Sequence, residues 1–155
     1  MLLYRICSSR YAHDLSGTGA GLYGGRWNPQ GLPLLYTAGT ISLSYLEYLA
    51  HNIHLLGSKD ICLVKLEVAN GQGIQEIKPS ELPKGWRETT FTPSVTQKIG
   101  YRFVESGKLY ILKVPSAIVP QEFNYILNPL HEDHHLTSVK EVLTSFEIDK
   151  RFAAD

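Results

Sequence analysis

Glu47 is the acidic residue whose position most favours a chemical role. The sequence predicts a helix over residues 41–54, and Leu43 lies one turn before Glu47 on it. At about 100° per residue, Glu47 lies about 40° from Leu43 around the helix axis. A carboxylate at the edge of an apolar stripe is partly desolvated, which favours its protonated form unless a cation lies opposite. Arg5 and Arg26 are the candidate cations, either in a structural ion pair with Glu47 or as grips for a ligand pyrophosphate.

Five glycines lie between Gly17 and Trp27, in the run GTGAGLYGGRW. Glycine loses much backbone entropy on folding and buries no side chain, so we expect neither a stable helix nor a core strand here. Glycines are suited to places where the backbone approaches another group closely or adopts positive φ. Because the planar cation Arg26 stands beside the ring of Trp27, the run predicts a binding loop for a flat anionic ligand, with a nucleotide as the first candidate.

Residues 19–24 also fit the pattern G-x-G-x-x-G of dinucleotide-binding βαβ units. The pattern carries meaning only where it leaves a strand and opens a helix. The residues that follow are Gly-Arg-Trp-Asn-Pro, which open no helix. The sequence therefore argues against a doubly wound sheet, and a dinucleotide must be held in another way.

Three polar residues lie in or beside predicted strands and are candidates for ligand contact. Tyr36 ends a strand over residues 34–36, where core packing with the hydroxyl at the rim is its commoner role. Ser116 follows a strand over residues 109–114 and lacks the G-x-S-x-G elbow of a nucleophilic serine, so we expect it to hydrogen-bond a ligand or cap a turn. Asn124 is by default a turn residue.

The histidines do not form a metal-binding pattern. His51 and His54 lie three residues apart on the predicted helix, and His131, His134 and His135 lie in a polar segment. Zinc sites need defined spacings, usually with cysteines or a H-E-x-x-H frame, and neither occurs. We expect no metal site, and a solvated surface loop accounts for the second group.

Composition is typical of a globular protein. The chain has 155 residues, of which 43% are hydrophobic and 19% charged, so we expect one domain over residues 1–155. The formal net charge is zero, which argues against a nucleic-acid-binding protein or a nuclease. No long apolar run predicts a membrane span. Cys7 and Cys62 lie in apolar, strand-like stretches, which favours buried reduced thiols and a cytoplasmic location.

The chain alternates between strand-like and helical segments. We expect strands over residues 2–6, 34–36, 61–68, 109–114 and 123–128, and helices over residues 41–54 and 93–105. The stretch 71–92 is expected to be mostly loop. Residues 139–148 fit both a strand and a helix, and their alternation favours a strand. The fold class is therefore mixed α/β, of the α+β kind, with a strand-rich core and flanking helices.

In this order along the chain, these residues resemble the RES domain, a family named for its arginine, glutamate and serine. The resemblance covers nearly the whole chain, and its most specific part is the GGRWN segment with partners in the right order on both sides. The matching residues are Tyr4-Arg5, Gly24-Gly25-Arg26-Trp27-Asn28, Tyr36, Glu47, Val114-Pro115-Ser116, Asn124 and Asn128-Pro129.

The resemblance implies a fold similar to that of ADP-ribosyltransferases of the diphtheria-toxin kind. RES proteins are known as toxins of bacterial toxin–antitoxin pairs whose cognate partner is an Xre-like helix-turn-helix antitoxin. The implied activity is cleavage of the nicotinamide–ribose bond of NAD⁺ by hydrolysis or phosphorolysis, which depletes NAD. NAD⁺ is then a substrate, and no cofactor, nucleic acid or membrane is expected as a partner. Formation of a homodimer stays open.

The same resemblance implies roles for particular residues. Glu47 would stabilise the ribosyl cation and orient the acceptor, Arg5 and Arg26 would hold the pyrophosphate, and Tyr36 would stack on nicotinamide. Ser116 would bond the nicotinamide or the ribose. Gly25, Trp27 and Asn124 complete the implied NAD-binding set, and Glu47, Arg5 and Tyr36 form the implied catalytic set. These roles require Arg5, Arg26 and Glu47 to converge on one concave pocket of dinucleotide size.

Two other functions are compatible with the sequence. Some RES members are reported to ADP-ribosylate a protein, and a non-catalytic nucleotide-binding or partner-binding module would keep the same fold. A ribonuclease toxin fits less well, because the chain has no net positive charge. The residues do not tell whether water, phosphate or a protein side chain captures the ribose.

Overall fold

A mixed sheet flanked by helices forms the core of the protein. The structure, a computed structural model, describes residues 1–52, 60–144 and 149. The strands in these residues are β1 Leu2–Ser8, β2 Leu35–Ala38, β3 Ile61–Val68, β4 Ile74–Glu76, β5 Ile111–Pro115, β6 Phe123–Leu127 and β7 Thr137–Leu143. The α-helices are α1 Thr18–Tyr23, α2 Ile41–Asn52 and α3 Ser94–Ser106. The predicted mixed α/β class is confirmed.

The seven described strands form one sheet in the order β4-β5-β6-β2-β1-β3-β7. Each described strand pair is antiparallel apart from β4 and β5, which run parallel and are connected through α3. This is not the doubly wound parallel sheet of dinucleotide-binding proteins, as the residues after Gly24 predict. None of the described helices is long and apolar enough to span a membrane.

Most predicted elements lie within three residues of their observed positions. The strand over residues 61–68 is observed with those bounds, because its continuous apolar run is buried on both faces of the sheet. The segment 71–92 was predicted mostly as loop, but it contains β4, a three-residue edge strand whose order depends on pairing with β5. The tail forms strand β7 up to Leu143, while residues 145–148 of that prediction lie outside the described residues.

The glycine run contains a helix, which corrects the expectation that it would not form one. Residues Thr18–Tyr23 are helical, and Asn28 Nδ2 donates to the carbonyl of Ala20 in the last turn at 2.8 Å. A Cβ atom at Gly17 would lie 2.7 Å from the Leu34 carbonyl carbon, so the start of the helix lies directly against the chain that enters β2. Tertiary contacts therefore stabilise a short helix that has poor intrinsic propensity.

The apolar stripe of Leu43, Leu46, Leu49, Ala50 and Ile53 predicts which face α2 buries, and the observed buried face is rotated from that stripe so that it keeps Leu43 but not Leu46 or Ala50. Its fully buried residues are Leu43 and Ser44, whereas Leu46 is 38% exposed and Ala50 is exposed. The helix packs against β1 and β2. Ser44 and Glu47 lie on the side of the helix that lines the cleft described below. Ile53, the last member of the predicted stripe, lies outside the described residues.

Two histidines expected in a solvated loop are structural. The ring of Tyr110, which is fully buried, lies between His131 at 5.7 Å and His134 at 5.9 Å. The His131 side chain is only 7% exposed, and the hydroxyl of Tyr110 is 3.0 Å from Nδ1 of His134. Burial lowers the pKa of His134. The prediction of a solvated loop is wrong for these two residues, and His135 is exposed as expected.

Gly100 allows α3 to lie directly against the segment that carries Arg26 and Trp27. A Cβ atom at Gly100 would lie 1.7 Å from the carbonyl oxygen of Trp27, a backbone atom that cannot rotate away. The neighbouring Thr96 Oγ1 also donates to the carbonyl of Arg26 at 2.5 Å. Helix α3 therefore serves as the support for this segment.

We predict that Gly100→Ala lowers the free energy of unfolding by about 1–3 kcal/mol or more, because the backbone of the packed segment must shift. Urea unfolding measures the change. Gly19→Ala is the matched control, because nothing lies within 4 Å of a Cβ at that helical position. It should leave stability unchanged or raise it by about 0.5–1 kcal/mol. A Gly100→Ala variant as stable as Gly19→Ala would contradict this packing.

Candidate active site

A cleft of about 320 Å³ opens between α2, the strands β1 and β2, and the segment after α1. The structure brings Arg5, Arg26 and Glu47 into its wall, although they lie far apart in the sequence. Tyr36, Asn124, Gly25 and Trp27 also line it. Of the implied catalytic and NAD-binding residues, Ser116 alone is absent from the lining, and its neighbours Pro115 and Ala117 line the cleft instead.

The Glu47 carboxylate is held by two neutral donors. Its Oε1 atom accepts a hydrogen bond from Ser116 Oγ at 2.8 Å and another from Asn124 Nδ2 at 2.5 Å. Among residues 1–52, 60–144 and 149, none donates to Oε2, and no lysine or arginine forms a direct salt bridge with Glu47. The structural Glu–Arg pair considered above is therefore not what fixes this side chain. One carboxylate oxygen is fixed, and the other can act on a ligand.

Ser116 positions Glu47. The residue is fully buried, and its Oγ accepts hydrogen bonds from the backbone N–H groups of Ile118 and Val119, both at 3.0 Å. Because these bonds occupy the lone pairs, the hydroxyl proton points to Glu47. The turn-capping alternative predicted for Ser116 is observed, since its Oγ accepts from two backbone N–H groups that follow it. Its side chain does not line the cleft, and a direct bond to nicotinamide or ribose stays a prediction.

Each arginine of the cleft is anchored by a backbone carbonyl. Arg5 Nη2 donates to the carbonyl of Tyr11 and lies 3.5 Å from Cys7 Sγ, while its buried Nε has no partner among the described residues. Arg26 Nη1 donates to the carbonyl of Trp86. Burial lowers the pKa of Arg26, and the charge of Glu47 opposes that shift. A guanidinium has five N–H donors, so both side chains keep donors for an anion.

Tyr36 holds the glycine segment in place with its hydroxyl. The hydroxyl donates to Asn28 Oδ1 at 2.7 Å and accepts a hydrogen bond from the N–H of Trp27 at 3.0 Å. Burial raises the pKa of Tyr36, so the phenol stays neutral. The hydroxyl therefore donates and accepts within the protein, and a catalytic role of Tyr36 stays a prediction. Stacking of its ring on a ligand stays a prediction.

Gly25 is required by this network. A Cβ atom at Gly25 would lie 2.8 Å from the Tyr36 hydroxyl and 2.9 Å from Asn28 Oδ1. Asn28 is fully buried, and its Nδ2 also donates to the carbonyls of Ala20 and Leu32, each at 2.8 Å. Asn28 ends the GGRWN segment, and its position in the sequence predicted no role for it. Its hydrogen bonds to Ala20, Leu32 and Tyr36 hold the segment from Gly24 to Leu32 in a fixed conformation.

The ring of Trp27 belongs to the core. It is 3% exposed and packs against Trp86, with ring centroids 6.3 Å apart and planes inclined by 56°. Packing in the cluster that contains Trp86 and Phe103 buries the ring, and contact of Trp27 with a ligand stays a prediction. Trp27 anchors the segment that carries Arg26 into the cleft.

The cleft includes residues to which the sequence analysis assigned no role in the site. His51 and Asn52 extend the lining along α2, and Tyr48 lies directly after Glu47. The spacing of four residues from Glu47 to His51 places both on one helix face, which is a signal that could have been used. Tyr4 lines the cleft from β1. In the described part of the chain, no three His, Cys, Asp or Glu side chains are grouped closely enough to hold a metal ion.

The order of these cleft residues along the chain is that of a known protein family. The RES domain family matches residues 2–149. The chain belongs to this family.

Relatives of the RES chain align over three quarters or more of their own length. A protein of Photorhabdus laumondii named Toxin Res is 41% identical, with 97% of this chain and 96% of that protein aligned. A Toxin Res of Yersinia enterocolitica is 38% identical over 97% and 99% of the two chains. The Prs ADP-ribosylating toxin of a Sphingobium strain is 36% identical over 79% of this chain and 76% of its own.

A solved structure shares the fold. A chain of the M. tuberculosis MbcT–MbcA toxin–antitoxin complex superposes with a TM-score of 0.75 at 18% sequence identity. The superposition covers 92% of this RES chain and 82% of that chain. The two chains therefore share their overall fold at low sequence identity.

We predict that Tyr36→Phe destabilises the RES chain by about 1–3 kcal/mol, because Asn28 Oδ1 and the N–H of Trp27 lose their shared partner in a buried network. Thermal and urea unfolding measure the loss. Tyr23→Phe is the control, because this tyrosine is 87% exposed. Its effect should stay within about 0.5 kcal/mol. Equal stability of the two variants would show that the hydroxyl of Tyr36 does not hold the segment.

Proposed function

We propose that this protein is the toxin of a toxin–antitoxin pair and cleaves the bond between nicotinamide and ribose in NAD⁺. The observation that supports this most strongly is the state of Glu47. Two neutral donors hold its carboxylate in a cleft that also contains two guanidinium groups, and no direct counter-ion is present among the described residues. Such a site offers fixed negative charge to a cation and fixed positive charge to an anion.

The chemistry of NAD⁺ needs few groups from the protein. Nicotinamide leaves as a neutral molecule from a cationic precursor, so no general acid is required. The transition state has oxocarbenium character, as in glycoside hydrolysis. A carboxylate that is already oriented stabilises this charge without reorganisation. Glu47 Oε2 is the atom that we assign to the ribose.

The remaining cleft residues bind the rest of the dinucleotide. Arg5 and Arg26 present two cations to the two negative charges of the pyrophosphate, and hydrogen bonds between charged partners are about twice as strong as neutral ones. The ring of Tyr36 packs against nicotinamide, and Asn124 contributes by holding Glu47. NAD⁺ is the substrate in this proposal, and no further cofactor is needed.

The reaction is balanced with water or phosphate as the acceptor. The C1′–N bond breaks, nicotinamide takes the electron pair, and an acceptor oxygen forms a new bond to C1′. With water, the products are ADP-ribose, nicotinamide and one proton. With phosphate, the product is the corresponding ribosyl phosphate. In this proposal Glu47 orients either acceptor after nicotinamide leaves.

The names of the relatives support the toxin role. Three of the relatives are named as toxins, and the solved structure with this fold is a toxin–antitoxin complex. We infer that the chain depletes cytoplasmic NAD and arrests growth until an antitoxin, of the Xre-like helix-turn-helix type, binds it.

ADP-ribosylation of a protein is the second candidate. It is favoured by the name of the Sphingobium relative, Prs ADP-ribosylating toxin, at 36% identity. The same ribosyl cation forms in this reaction, and a protein side chain replaces water or phosphate. Labelling of a protein from tagged NAD⁺, at a rate above the loss of free NAD⁺, would favour this candidate.

We predict that the purified protein releases nicotinamide from NAD⁺ and that Glu47→Gln lowers the rate at least about 100-fold, the scale of losing one preorganised electrostatic group. Liquid chromatography measures nicotinamide directly. Glu105→Gln is the matched control, because it makes the same change at an exposed position of α3. It should release nicotinamide at the parent rate.

Three results would count against the proposal. If Glu47→Gln and Glu105→Gln release nicotinamide equally fast, Glu47 is not the catalytic carboxylate. If the parent protein binds NAD⁺ without releasing nicotinamide, the protein is a binding module. If only protein labelling occurs, the second candidate holds. Urea unfolding of both variants ensures that a lost rate is not a lost fold.

A further inference from the structure

Two cysteines face each other across the strand pair β1–β3. Cys7 and Cys62 are direct partners in the antiparallel register, and their sulfur atoms are 4.0 Å apart. Both are free thiols in the structure. Directly opposite residues point to the same face of a sheet. The two side chains are therefore held together by the backbone pairing rather than by a chance contact.

The backbone geometry at this position suits a disulfide. Opposite Cα atoms in an antiparallel pair lie about 4.5–5.5 Å apart. A disulfide spans Cα separations of about 4.4–6.8 Å. The sulfur atoms have to close from 4.0 Å to about 2.05 Å, which side-chain rotation supplies without movement of the strands.

The two thiols differ in access. Cys7 is partly exposed, whereas Cys62 is fully buried in the core. Arg5 Nη2 lies 3.5 Å from Cys7 Sγ, which places positive charge beside a sulfur that carries negative charge during thiol–disulfide exchange. Cys7 is thus the sulfur that a reagent from solvent reaches first, and Cys62 is the one that closes the bond.

We propose that Cys7 and Cys62 form a modification site, a reversible intrachain disulfide made by exchange with a low-molecular-weight disulfide. The Cys7 thiolate, having lost its proton to solvent, attacks one sulfur of the oxidant and releases one thiol. Burial raises the pKa of Cys62, so this thiol ionises only as it reacts. Its sulfur attacks Cys7 Sγ, the mixed-disulfide bond breaks, and the departing thiolate takes up the Cys62 proton to leave as the second thiol. Two protein thiols are oxidised to one disulfide, and the small disulfide is reduced to two thiols.

This site is coupled to the cleft through Arg5, a consequence that rests on the proposed function. Arg5 lines the cleft, and its guanidinium donates hydrogen bonds to the Tyr11 carbonyl and Cys7 Sγ in the described part of the chain, with the charge of Asp14 also near it. Movement of the sulfur towards Cys62 removes one of these two hydrogen bonds. The guanidinium is then less firmly held, so binding of the pyrophosphate weakens while Glu47 is unaffected.

The first experiment measures the bond itself. The protein is treated with oxidised glutathione, and its remaining free thiols are alkylated with N-ethylmaleimide under denaturing conditions. Mass spectrometry then measures the mass of the intact chain. The disulfide predicts a mass two hydrogen atoms below the reduced chain with no maleimide added. Cys62→Ala should instead stop at a mixed disulfide that carries one glutathione. Recovery of two maleimide adducts on the treated parent protein, or of a glutathione on each cysteine, would overturn the proposal.

The second experiment measures the coupling. Oxidised parent protein should show a KM for NAD⁺ raised about two- to tenfold, the range for losing one hydrogen bond, with a smaller change in kcat. Dithiothreitol should reverse the rise, and Cys62→Ala should not show it. A disulfide that leaves KM unchanged would overturn the coupling. If the reduced protein releases no nicotinamide, the proposed function fails, and the mass experiment still decides whether the disulfide forms.

Discussion

The hydrogen bonds from Ser116 and Asn124 to one oxygen of Glu47 are the interaction on which the site depends. They join three elements, because Glu47 lies on α2, Ser116 follows β5 and Asn124 lies in β6. A guanidinium in their place would hold the carboxylate as firmly but would cancel its charge. Neutral donors orient the group and leave its negative potential in the cleft, where a developing cation can use it.

The glycine segment, residues 17–27, also fixes a charged side chain at the cleft, and it does so through backbone packing. Its glycines permit close packing: Gly25 against the Tyr36 hydroxyl and Asn28, and Gly17 against the backbone of Leu34. These contacts fix the path of the chain, and Trp27 secures it in the core. Arg26 then projects from a rigid base. The glycines are therefore needed for close packing of the backbone beside the site. They do not themselves indicate which ligand the site binds.

Much of the fold could be predicted, because long apolar runs such as residues 61–68 and the order of the motif residues can be recognised in the sequence itself. The errors have a common physical cause. Helix α1, the burial of Trp27 and the inward side of α2 all depend on contacts between distant segments. The sequence predicted which residues lie at the site, but not which of them line the cleft and which of them hold the others in place. Whether Ser116 contacts a ligand or another side chain is decided by the turn after β5, which no spacing rule describes.

The account is tested most directly by a crystal structure of the Glu47→Gln variant with NAD⁺. We expect the dinucleotide in the cleft, with its pyrophosphate between Arg5 and Arg26 and the nicotinamide-bearing ribose within hydrogen-bonding distance of the side chain at position 47. NAD⁺ bound at another surface, or in the cleft with the pyrophosphate next to position 47, would contradict the account.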